Sequence, residues 1–150
     1  MSIKDRLTED MKQAMKDKEA GKARLSVIRM VRGSIKNVEI DHKKELSDEE
    51  VLEVLAKEVK MRRDAMEEFQ KGNRPDLVES LKQEVAVLLA YLPEQLSEEE
   101  VGKLVAEAVK ASGAVGPKEM GKVMAILMPK VKGRADGKLV NMLVKEHLNQ

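Results

Sequence analysis

The run Ser47-Asp48-Glu49-Glu50-Val51-Leu52-Glu53-Val54-Leu55, continuing through Val59, Arg62, Met66 and Phe69, decides the fold. Ser47 with Glu50 three positions later is a capping box, in which the serine hydroxyl and the glutamate carboxylate satisfy two backbone N–H groups that a helix start leaves open. The apolar positions beyond it, Val51, Leu55, Val59, Met66 and Phe69, return every three to four residues with Arg62 in the same stripe, so one face of a long helix is set for burial. Glu53 with Lys57 and Glu58 with Arg62 add opposite charges one turn apart. Gly72-Asn73 supplies the stop.

The same period extends in both directions. Upstream, Ser2 caps a helix through Ile3, Leu7, Met11, Ala14 and Met15 that reaches about Asp17, and after a break near Gly21 a second follows Leu25, Ile28, Val31, Ile35 and Val38 to about Glu39–Asp41. Gly33, inside that second helix, costs up to ~1 kcal/mol against alanine, and close packing is the expected reason for it. Downstream, Pro75 opens a fourth helix with Leu77, Leu81, Val85, Leu88 and Leu92 inward, and Pro93 ends it. A new capping box, Ser97 to Glu100, begins a fifth helix that stops at Gly113; Pro117 begins a sixth through Met120, Val123, Met124 and Leu127, stopped before Pro129. Gly133-Arg134-Ala135-Asp136-Gly137 then turns into a seventh, with Leu139, Val140, Leu143 and Leu148. The reading is all-α: an N-terminal bundle of about four helices over residues 1–93 and a three-helix C-terminal domain over 94–150.

Composition narrows the chemistry. Cysteine is absent, which removes disulfides, thiolate metal sites and cysteine nucleophiles together. No apolar run approaches the ~18 residues of a membrane span, and Met1-Ser2-Ile3-Lys4-Asp5 starts a charged amphipathic pattern, so no membrane partner and a cytoplasmic address are expected. The net charge of +1 hides a division: residues 1–44 hold 12 basic and 7 acidic groups, 45–100 hold 7 and 16, and 117–150 hold 7 and 3. Basic ends flank an acidic middle.

Tests for catalysis find no site. Gly133-Arg134-Ala135-Asp136-Gly137-Lys138 is one residue short of a P-loop between its glycines, has Leu139 where the magnesium-binding hydroxyl belongs, and follows no strand. No serine sits in a G-x-S-x-G elbow. His42 lies in a charged loop and His147 near the last helix C-terminus, neither with a second ligand at metal spacing. The acidic triplets at 48–50 and 98–100 occupy helix first turns, where the dipole favours them. No catalytic residue, metal or cofactor is therefore expected.

Two basic features remain. Arg29, Arg32 and Lys36 form a stripe beside the apolar face of the second helix, where pairing with Glu53 or Glu58 competes with anion binding. In the tail, Lys130, Lys132, Arg134 and Lys138 gather around Gly133 and Gly137, two glycines that let a backbone approach a ligand, with Asp136 the sole local opposition. With Phe69 and Tyr91 the only aromatics, stacking platforms for splayed bases are missing, so a nucleic-acid partner would be structured RNA read by backbone and shape. The Met-rich sixth helix (Met120, Met124, Met128) offers a competing reading as a protein-interaction adaptor.

Several phrases together resemble the YqeY-like family, whose tail is shared with the B subunit of the tRNA-dependent glutamyl/aspartyl amidotransferase (GatB). They are Met120-Gly121-Lys122-Val123-Met124 and Met128-Pro129-Lys130-Val131-Lys132-Gly133-Arg134-Ala135-Asp136-Gly137-Lys138-Leu139-Val140, supported by Arg24-Leu25-Ser26-Val27-Ile28-Arg29-Met30, Gly72-Asn73-Arg74-Pro75-Asp76-Leu77 and Tyr91-Leu92-Pro93. The resemblance runs close to full length. It implies a helical bundle followed by a small domain of the kind that the amidotransferase uses to engage tRNA, with aminoacyl-tRNA or amidotransferase machinery as partners. A label of carbon–nitrogen ligase with glutamine as amido-N-donor belongs to the ATP-dependent body of that enzyme, which this chain is expected to lack. What the resemblance implies is thus a tRNA-associated binding protein or ligase accessory.

Overall fold

A computed structural model describes residues 1–149 as seven α-helices with no strand among them. They are α1 (Ile3–Lys16), α2 (Lys22–His42), α3 (Asp48–Lys71), α4 (Pro75–Leu89), α5 (Glu98–Ser112), α6 (Met120–Val131) and α7 (Gly137–Leu148), with short 3-10 turns at Lys18–Gly21 and Pro117–Glu119. The chain divides into two compact units, Met1–Leu92 and Pro93–Gln150.

Helix starts follow the capping chemistry. Ser2, Ser47 and Ser97 each take extended backbone and accept from the N–H three residues on, while Asp5, Glu50 and Glu100 return the bond. Ser47 is reinforced from outside, because the Lys44 ammonium lies 2.7 Å from the Glu50 carboxylate. That contact, then the Ser47 backbone and hydroxyl, holds the Glu50 carboxyl down to about 2 from 4.5. A depressed carboxyl contributes stability that is complete above its unfolded value and is lost as pH falls through the folded one. Stability should therefore decline from about pH 4.5 toward 2 partly through this cap. In Glu50→Gln, acid unfolding followed by circular dichroism should show a shallower decline over that window; an unchanged slope would remove Glu50 from the acid response.

In the N-terminal unit α3 and α4 form the most extensive pairing, and α2 packs on α1, α3 and α4. Leu7, Ile28, Val31, Val51, Leu55 and Leu88 are the fully buried centre, drawn from all four helices. In the C-terminal unit α5 lies against both α6 and α7, with Val101, Val105, Val123, Leu127, Val140 and Val144 inside.

Four sequence expectations are corrected. Close packing at Gly33 is absent, since a Cβ there would meet nothing within 4 Å; the glycine that packs is Gly21, where a Cβ would stand 2.2 Å from the Ala14 carbonyl oxygen. Helix α2 continues to His42, and the left-handed Lys43 (φ 53°) closes it with N–H donation to Glu39 and Ile40. Helix α4 ends at Leu89, well before Pro93, because Tyr91 turns inward and is buried. Helix α6 runs through Pro129 to Val131: the proline sits in the last turn, and the Lys132 N–H still reaches the Met128 carbonyl at 2.9 Å.

Candidate nucleic-acid interface

The tail corner is built by the end of α6 and the start of α7. Gly133 takes φ +73°, a left-handed value that glycine adopts without steric cost. The N–H groups of Arg134 and Ala135 then fold back on the Val131 carbonyl at 2.9 and 3.1 Å. Asp136 caps α7 by accepting from the Lys138 N–H at 3.1 Å, so the one local carboxylate is engaged in the helix start. Gly137 differs from Gly133: it is the first residue of α7, is exposed, and has open space where a Cβ would be.

The segment preceding α5 fastens this corner. The Gln95 side-chain amide donates to the Gly133 carbonyl at 2.8 Å, the Leu96 N–H donates to the Arg134 carbonyl at 2.8 Å, and the Arg134 guanidinium donates to the Glu94 carbonyl at 3.2 Å. Arg134 is thus half-buried and partly spent on structure, whereas Lys130, Lys132 and Lys138 are exposed at the rim. Lys132 and Lys138 also interact within the chain. Lys130 lies in the last turn of α6, where the helix dipole favours a cation in any case.

Sequence reasoning missed how the rim extends along α7. Asn141 and Lys145, three and seven residues after Lys138, line with it a surface hollow of about 470 Å³ that also touches Met142 and Glu146. The one-turn spacing from Lys138 was the available signal. Of the sixth-helix methionines, Met120 and Met124 pack against the core of this unit, and Met128 is 40% exposed.

In the N-terminal unit Arg29 and Arg32 of the basic stripe meet methionines of α1, and Glu58, one of the two carboxylates expected to pair with the stripe, is engaged elsewhere. Arg32 Nη1 lies 3.0 Å from Met11 Sδ and Arg29 Nη2 3.7 Å from Met15 Sδ. Glu58 is taken by Arg62 at 2.7 Å and by the Ser34 hydroxyl at 2.9 Å. Arg62 also reaches Glu84 at 3.1 Å with a side chain only 7% exposed. Two motif residues serve the same unit: Arg24 pairs with Asp17 at 2.7 Å, and Tyr91 donates to the Asp10 carboxylate beneath the Arg6 guanidinium, 5.0 Å from the ring. Burial, then the Asp10 bond, pushes the Tyr91 phenol well above its ordinary range. His42 is exposed and His147 half-buried; among the described residues no group of three His, Asp or Glu side chains is placed to hold a metal. No helix is long and apolar enough to cross a membrane, again among the described residues.

Comparison with known proteins places these features in a family. The model of the YqeY-like protein family matches residues 4–148. The chain is 32% identical over 144 residues to "Altered inheritance of mitochondria protein 41, mitochondrial" of Pyrenophora tritici-repentis, covering 94% of this chain and 78% of that protein. Its likeness to the protein of the same name from Kluyveromyces lactis is 43% over 86 residues, or 57% of this chain and about half (45%) of the relative. A shorter match, 42% over 59 residues, is to the E subunit of glutamyl-tRNA(Gln) amidotransferase of Thermococcus gammatolerans, covering 37% of this chain and 9% of that protein. The fungal names correct the cytoplasmic expectation, because they point to mitochondria. An amphipathic start says nothing against such an address, since mitochondrial leaders are themselves amphipathic and are removed. Two units of helices alone, the matched span and the shared tail phrases lead to one assignment: this chain belongs to the YqeY-like protein family.

Proposed function

We propose that the chain is a tRNA-associated binding module whose C-terminal unit lies along the phosphate backbone of structured RNA. The observation that carries the reading is the exposed basic rim of Lys130, Lys132 and Lys138 around a corner fixed by Gln95 and Glu94, with Lys145 one helical face further on. A rigid corner presents charge at lower entropic cost than a mobile loop. Arg134 acts in this reading mainly as the brace of the corner, and the lysines as phosphate contacts. The likeness to an amidotransferase component named for glutamyl-tRNA(Gln) supports tRNA as the RNA. The packing of Met120 and Met124 into their own unit leaves the adaptor alternative a single exposed methionine on α6.

Neutralising about four phosphates makes log affinity fall against log salt with a slope near −3 to −4. Filter binding of unmodified tRNA between low and physiological salt should show that slope, and Lys130→Ala/Lys132→Ala/Lys138→Ala should reduce it by about three phosphate equivalents. Salt-independent binding, or a triple variant that binds as the parent does, would overturn the reading.

A further inference from the structure

We propose that the groove between α1 and α2 in the N-terminal unit is a phosphate-binding site, with Arg29, Arg32 and Lys36 as its anion contacts. It encloses about 590 Å³, within the range of small-molecule sites. Three observations converge on it. First, Arg29, Arg32 and Lys36 all line the groove, and Glu58, a carboxylate that their stripe could have met on α3, is held by Arg62 and the Ser34 hydroxyl. Second, the Arg29 and Arg32 forks are steadied by the thioethers of Met15 and Met11. A thioether is a weak acceptor, so it orients a guanidinium and leaves its charge undischarged, and the remaining N–H donors suit a bidentate oxyanion. Third, Gly33 lines the groove between them, and a Cβ there would meet no neighbouring element within 4 Å. A mid-helix glycine is unfavourable against alanine, and no packing in the fold compensates for it. Its lack of a side chain leaves room for a ligand between the two arginines and the lysine.

The acidic groups in the groove are otherwise engaged or lie at its far end. Glu39 is held by the Lys4 ammonium at 2.6 Å and by the Leu46 N–H, and Asp5 belongs to the first capping box; Glu45 lines the rim near Lys4. Glu39 also feels the Lys36 ammonium, so the lysine end of the groove is partly balanced and the two guanidinium groups of Arg29 and Arg32 are its main anion contacts.

The phosphate has two possible sources, a free nucleotide or an RNA backbone, and the site is independent of the C-terminal corner. Its test is an NMR titration of the full chain, following the Arg29 and Arg32 Nε–H and Gly33 N–H signals, with inorganic pyrophosphate, AMP and a 12-base-pair RNA duplex as probes. Saturable shifts at those three residues are expected, with affinity lowered at least ~10-fold in Arg29→Gln/Arg32→Gln and in Gly33→Glu. Both variants should melt no lower than the parent. Shifts from pyrophosphate or AMP assign the site to a free phosphate compound. Shifts from the duplex alone that persist when Lys130, Lys132 and Lys138 are alanine assign it to RNA backbone, and they separate this site from the tail. Silence at Arg29, Arg32 and Gly33 toward all three probes, or undiminished binding by the double variant, overturns the proposal.

Discussion

Arg62→Ala is expected to lower the unfolding free energy of the N-terminal unit by about 3–5 kcal/mol, because it breaks a buried ion-pair cluster. The side chain occupies a core position of α3 yet is charged, and only 7% of it is exposed. Its guanidinium spans two helices by donating to Glu58 at 2.7 Å and Glu84 at 3.1 Å, with the Glu58 carbonyl at 3.1 Å and Met30 Sδ at 3.0 Å completing its shell. Truncation leaves Glu58, 12% exposed, and Glu84, 27% exposed, facing each other's charge with no cation between them. Urea unfolding followed by the fluorescence of Tyr91, the single tyrosine, reports this unit, and the midpoint should fall at constant slope. Replacing the network together, Arg62→Met with Glu58→Gln and Glu84→Gln, should recover most of the loss, because much of the cost is the stranded carboxylates. A loss below ~1 kcal/mol for Arg62→Ala would mean that water already screens the cluster.

Gly21→Ala is the second large effect, expected to cost about 2–3 kcal/mol by overpacking. The added methyl would stand 2.2 Å from the Ala14 carbonyl oxygen and 2.9 Å from its Cα and carbonyl carbon. All three are backbone-borne atoms, so no rotamer change relieves the contact and α1 must move off α2. Backbone strain plays no part, since Gly21 has φ −97° and ψ −2°. Gly33→Ala, twelve residues on, should instead stabilise by up to ~1 kcal/mol, because it removes a helix-interior glycine and meets nothing. Thermal melts of the two variants in parallel check the contrast. Equal melting temperatures would show that the Ala14 contact relaxes freely.

That pair also shows where the sequence stops being legible. Serine followed three residues later by an acid marks the starts of α1, α3 and α5, because capping is local chemistry written within four residues. Which glycine packs closely is not read from helix position: Gly21, at the end of the turn between α1 and α2, meets the Ala14 backbone two turns earlier in the chain, while Gly33 has the more conspicuous mid-helix position. Proline is similarly ambiguous. Pro93 follows a helix that has already ended, and Pro129 lies inside α6, two residues before its last. In the tail the basic residues are plain in the sequence, but the distinction between Arg134 as a brace and the neighbouring lysines as exposed groups depends on Glu94 and Gln95, some forty residues earlier. The Arg29 and Arg32 stripe was visible too. Its partners were not, because a thioether acceptor leaves no charge pattern to read.

The three bonds from residues 94–96 to the Gly133–Arg134 corner bear on how the tail is cut out for separate study. A fragment starting at the Ser97 cap would keep every helix and lose all three fasteners. Weak binding by such a piece would then report a slack hinge and not a missing contact, so excision should begin upstream of Glu94.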